Sequence, residues 1–130
     1  MQIFGSEIPF PTYCGMEEAG LAEGGTRLRL VSQPVHLNNL GIVHGGVICT
    51  LLDVAMGSTC RVKLGVPVMT LDMQIAFLSP GRGVLVAEGS ILRAGRSIVY
   101  AEARVFLEED GTLVAKGSGI FKPVRREGKD

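Results

Sequence analysis

Residues 43–64 contain no proline, and their apolar positions Val47, Ile48, Leu51, Leu52, Ala55 and Met56 recur at spacings of three and four. Cys49 and Val54 add apolar surface away from that stripe, so the spacing predicts a helix that is apolar around most of its circumference. Such a helix has to be enclosed by the rest of the protein, and the rest of this sequence offers only sheet with which to enclose it. Gly65 and Pro67 mark its expected end.

The flanking sequence reads as strands. Residues 12–22 and 26–32 are separated by the turn signal Glu23-Gly24-Gly25, and Leu28 and Leu30 alternate with Arg27 and Arg29, which predicts a first hairpin. After Pro34, the polar run His36 to Gly41 predicts a loop leading into the helix, with asparagines suited to turns. Beyond the helix, strands are expected over residues 68–78, 84–94, 97–108 and 113–122. Ser79-Pro80-Gly81, Gly95-Arg96 and Glu109-Asp110-Gly111 supply the turns. The sum is an α+β arrangement in which a curved antiparallel sheet wraps one long central helix. Unprotected edge strands in such a sheet suit a dimer joined edge to edge.

A chain of 130 residues with 46% hydrophobic content is enough for one compact domain, so residues 1–130 are expected to form one, with a core at about 12–122 and a frayed tail at 123–130. Thirteen basic residues balance thirteen acidic ones, and nothing in the net charge favours nucleic acid as a partner. No apolar run reaches the roughly 18 residues of a membrane span, and no basic segment followed by an apolar one opens the chain. A soluble, cytoplasmic protein is expected. Cys14, Cys49 and Cys60 cannot all pair and sit in no ligand spacing, so buried free thiols are expected. With no cysteine or acid at ligand spacing beside His36 and His44, neither a metal nor another cofactor is called for.

The segment Asn38 to Asp53 carries the chemistry. Adjacent glycines at the start of a helix each cost about 1 kcal/mol relative to alanine, which asks for a positional reason. Without Cβ atoms, Gly45 and Gly46 would let a ligand approach free N–H groups of the first turn, where the helix dipole also favours negative charge. A carbonyl that becomes an oxyanion on attack is such a ligand. Asp53 lies mid-helix among Leu51, Leu52, Val54 and Ala55, where a carboxylate is costly unless paired, hydrogen-bonded or open to a cleft. A carboxylate held by a neighbouring loop is the alternative to a catalytic one. His44 and Asp53 are nine residues apart, about 13 Å along a helix axis. That is too far for both ends to embrace one carbonyl within a chain, but antiparallel helices of a dimer would bring them together twice by symmetry.

His44-Gly45-Gly46 followed by Asp53, with Asn38 six residues before the histidine, resembles the hotdog-fold thioesterases of the phenylacetate-pathway and 4-hydroxybenzoyl-CoA type. The likeness extends to residues 70–80, 93–97 and 115–119, covering roughly 12–122. It implies hydrolysis of an aryl- or medium-chain acyl-CoA by Asp53, as general base or as nucleophile. It further implies carbonyl polarisation by the Gly46 N–H, positioning of substrate or water by Asn38, and organisation of the loop and helix start by His44, with direct acid/base work as the alternative. Gly45, Thr50, Gly57 and Phe77 are the substrate-side candidates. Some relatives hold the water with a Thr or Ser four residues after the acid, where this chain has Gly57; Thr50 is a candidate substitute. Gly57 either widens the acyl pocket or permits close packing. Arg93, Arg96 and Lys116 are candidates for the phosphates of CoA. His36 is read as structural. The resemblance also implies a homo-oligomer with shared sites, a dimer of dimers.

Competing functions are a hydratase or dehydratase, a non-catalytic acyl-CoA-binding sensor, against which Asp53 argues, and a structural assembly domain. Patterns for dinucleotides, nucleoside triphosphates, zinc proteases and serine hydrolases are absent.

Overall fold

The computed structural model describes residues 2–125. The elements are β1 (Gln2–Ile3), β2 (Ser6–Glu7), α1 (Pro9–Tyr13), β3 (Glu17–Ala22), β4 (Gly25–Val31), a 3-10 turn (Pro34–His36), α2 (Gly45–Leu64), β5 (Val68–Phe77), β6 (Val84–Ala94), β7 (Val99–Leu107) and β8 (Leu113–Pro123). Strands β3 to β8 form one antiparallel sheet in the order β3-β4-β6-β7-β8-β5. Helix α2 lies against its inner face and touches β4, β5, β6, β7 and β8. This is the hotdog fold.

Strand alternation builds the core. In β7, Val99, Ala101, Ala103, Val105 and Leu107 are buried, while Tyr100, Glu102 and Arg104 point to solvent. Leu51, Leu52, Ala55 and Met56 of α2 meet that face with no exposed surface, and burying each large aliphatic chain contributes about 1.5–3 kcal/mol. At the C-terminal half of α2 the helix comes still closer. A Cβ on Gly89 would collide with the Ala55 carbonyl, and one on Gly25 with the Gly89 carbonyl and the Thr59 side chain.

A closed polar network fills the same contact. The Thr26 hydroxyl lies 2.7 Å from Ser58 Oγ and 2.9 Å from Thr59 Oγ1, and the Thr26 N–H donates to Thr59 Oγ1. All three residues are buried, and the partners that water no longer supplies come from one another and from the Val54 and Ala55 carbonyls of α2.

Three expectations change. Residues 12–16 are not strand: Pro9 fixes the backbone angle suited to the first turn of α1, Gly15 turns the chain at φ +89°, and β3 starts at Glu17. Residues 2–7 form a hairpin that had no sequence signal. The C-terminal tail begins later than expected, because β8 runs to Pro123; residues 126–130 of that tail lie outside the described residues. Helix α2 ends as expected at Gly65, in the left-handed conformation. Cys60 is buried, and that burial pushes its thiol up to about 11, whereas Cys14 and Cys49 are only half-buried. Among the described residues no helix is long and apolar enough to cross a membrane.

Candidate active site

The loop before α2 is held from both sides. The His36 ring accepts the Gln33 N–H at Nδ1 and donates from Nε2 to the Cys14 carbonyl at 2.7 Å, while its carbonyl accepts the His44 N–H. With both nitrogens committed, His36 is a buried structural post. Asn38 Oδ1 accepts the N–H groups of Leu40 and Ile42, at 2.9 and 3.3 Å. Its oxygen folds the loop, which leaves the amide NH₂ as the part able to donate to a ligand.

His44 is the N-cap of α2, and its Nδ1 accepts the Gly46 N–H at 2.8 Å. The resemblance implies that this N–H polarises the substrate carbonyl; in the structure the His44 ring accepts it. The N–H groups of Val47 and Ile48 donate to the His44 carbonyl. The Gly45 N–H is left without a partner among the described residues, one turn of dipole behind it. A Cβ at Gly45 would meet the Phe77 ring at 3.5 Å, ordinary contact, so Phe77 borders the space in front of this N–H. Thr50 donates its hydroxyl back to the Gly46 carbonyl, leaving only lone pairs for a ligand or water.

Asp53 is half-buried and opens into a groove of ≈ 430 Å³ between α2, the N-terminal hairpin and the β5–β8 end of the sheet. Its Oδ1 accepts the Thr70 hydroxyl at 2.6 Å, and Oδ2 has no partner among the described residues. The carboxylate is therefore oriented by one bond and free at the other oxygen. Thr70 escaped the sequence reading because its contact with the helix depends on strand register. Gly57 lies on the same helix face one turn on, and a Cβ there would meet Phe121 and Val68 at 3.9 Å. Packing does not require this glycine, which favours its reading as room in the groove.

The three basic candidates are not brought together. Arg96 shares a groove of ≈ 510 Å³ with Lys122 and Arg125, two cations that the sequence reading did not single out. Lys116 lies on the solvent face of the sheet beside Arg104 and Glu102, and Arg93 lies by Lys63 at the far end of α2. The Arg96 and Asp53 grooves share no lining residue: Val68 and Phe121 line the Asp53 groove, whereas Met69 and Lys122, the next residues of the same strands, line the Arg96 groove.

The free edges of the sheet differ. β3 presents Glu17 and Glu18 and carries a bulge, while β5 runs for ten residues with Met69, Leu71 and Phe77 each half exposed or more. Both edges carry one irregularity, at Glu18–Leu21 of β3 and at Thr70–Asp72 of β5, but β5 is the longer and more apolar edge and so the better template for pairing.

A family model described as "Thioesterase superfamily" matches residues 40–114. The medium/long-chain acyl-CoA thioesterase YigI of Escherichia coli is 32% identical, over 83% of this chain and 81% of its own length. The solved structure of the BH2602 protein from Bacillus halodurans with CoA superposes with a TM-score of 0.85 at 31% identity, covering 95% of this chain and 83% of that one. The PaaI protein of the E. coli phenylacetic acid degradation operon shares the fold, with a TM-score of 0.81 at 20% identity and coverage of 88% and 83%.

Proposed function

The chain belongs to the thioesterase superfamily and is a thioester hydrolase, and from that premise we propose that it hydrolyses acyl-CoA at a site built from Asp53 of one chain and Gly45 of a second. The observation that carries this reading is Asp53 itself, a half-buried carboxylate oriented by Thr70 with its other oxygen free in a groove. The relatives named as acyl-CoA thioesterase and as a CoA-bound protein support the substrate class.

The thioester carbonyl accepts the unpartnered Gly45 N–H, which stabilises the oxyanion as it forms. Asp53 either takes a proton from the attacking water or attacks the carbonyl carbon itself and is released by water. In both routes the C–S bond breaks, the acyl group leaves as the acid, and CoA leaves with its thiol protonated. Asn38 offers its NH₂ to substrate or water, and His44 keeps the first turn in place. Arg96, with Lys122 and Arg125, is the candidate cluster for the phosphates of CoA, ahead of Arg93 and Lys116.

Gly45 and Asp53 are eight residues apart, about 12 Å along the axis, so a single carbonyl reaches both only if two antiparallel helices face each other. The exposed apolar β5 edge supports such a dimer, and the family resemblance extends it to a dimer of dimers. Three unpaired thiols suit the reducing cytoplasm.

Release of free thiol from a panel of aryl and aliphatic acyl-CoAs tests the reading. The protein is expected to hydrolyse members of the panel, with Asp53→Asn slower by about a hundredfold in kcat at unchanged folding. Equal rates in both proteins would remove Asp53 from the chemistry.

A further inference from the structure

The N-terminal hairpin plays no part in the sheet, yet it is fixed firmly. Ile3 is fully buried, and Arg61 Nη2 donates to the Ile3 carbonyl at 2.8 Å and the Phe4 carbonyl at 3.3 Å. The tight turn places Phe4 at φ +48°, a conformation that side chains rarely adopt, beside Gly5 at φ +81°. A two-residue turn of this kind matches the twist of a hairpin, and it persists here with phenylalanine at a position that glycine or asparagine would normally hold.

What the hairpin does is wall the groove that holds Asp53. Ser6 and Ile8 line that groove opposite the helix. Along the helix its floor is Asp53, Gly57 and Arg61, each four residues after the last and therefore stacked on one face. The carboxylate stands near one end, the glycine leaves room in the middle, and the guanidinium closes the other end about 12 Å away along the axis. That guanidinium is already committed to two carbonyls, so a methyl terminus reaching it would have to displace a charged group from its hydrogen bonds.

We propose that Arg61 and the hairpin it anchors, with Ile8 as the side wall, set the length of acyl group that the Asp53 groove accepts, admitting medium-length chains and rejecting long ones. This rests on the reading of Asp53 as the catalytic acid. Arg61 and Ile8 are specificity-determining residues; neither reaches the reacting atoms.

The test compares kcat/KM for butanoyl-, octanoyl- and hexadecanoyl-CoA in the native protein, Arg61→Met, Ile8→Trp and Asp53→Asn. Arg61→Met is expected to raise the hexadecanoyl-to-octanoyl ratio by about tenfold or more, and Ile8→Trp to lower the octanoyl-to-butanoyl ratio by about tenfold, within the range for apolar pocket discrimination. A ratio of rates is unmoved by a loss of folded protein, and Ile8 is only partly buried, so its variant decides the matter if Arg61→Met fails to fold. Ratios within about twofold of native in the folded variants, with Asp53→Asn inactive, overturn the length gauge alone. Full activity in Asp53→Asn overturns the site reading and the gauge with it.

Discussion

Two sets of glycines sit along the same helix and exist for opposite reasons. Gly25 and Gly89 lie under the C-terminal half of α2, where an added Cβ would run into backbone carbonyls. Gly45 and Gly57 lie at its N-terminal end and in the Asp53 groove, where an added Cβ would meet only ordinary contacts at 3.5 and 3.9 Å. The first set is demanded by helix–sheet packing. The second leaves space that the chain itself does not fill, beside an N–H and a carboxylate oxygen that have no partner among the described residues, as the proposed ligand site requires.

Gly89→Ala should be the most damaging substitution, costing about 3 kcal/mol or more of stability because backbone carbonyls cannot step aside as a side chain can. Denaturant unfolding measures this, and a loss below about 1 kcal/mol would break the distinction between the two sets. Thr26→Val should cost about 0.5–1.5 kcal/mol in the same assay, since it removes the hydroxyl that ties β4 to Ser58 and Thr59 while those two keep their bonds to the Val54 and Ala55 carbonyls. Gly45→Ala should change stability by less than about 1 kcal/mol while lowering kcat by about tenfold or more, because the new methyl occupies the approach to the N–H. The smallest effect is expected from Gly57→Ala: a gain of up to about 1 kcal/mol from helix propensity, with KM rising most for the bulkiest acyl groups. Equal losses of stability at Gly57 and Gly89 would mean that both are packing residues.

The helix was legible because twenty residues of three-and-four spacing outweigh any local ambiguity, and the later strands because turn residues punctuate them at Pro80, Gly95 and Gly111. Asp53 stood out because a carboxylate among aliphatics breaks the pattern. The N-terminal hairpin was illegible: strands of two residues have no periodicity, and its hold on Arg61 spans 58 positions. Residues 12–16 misled because they run on without a break into the strand before the Glu23-Gly24-Gly25 turn, although Pro9 and Pro11 favour a helical turn. Thr70 needed the register of β5 over α2. That the Gly46 N–H is taken by the His44 ring depends on the rotamer of His44, which no spacing encodes.

The shared site is the claim on which the chemistry depends, and mixing two inactive variants tests it most directly. Asp53→Asn and Gly45→Val chains would be co-expressed, and the activity of the mixture compared with that of each variant alone. If each site takes Asp53 from one chain and Gly45 from its partner, half the dimers are mixed and one of their two sites is intact, so about a quarter of native activity returns. A mixture no more active than its parents, with mixed dimers shown to be present, would place both residues of each site in one chain and contradict the account.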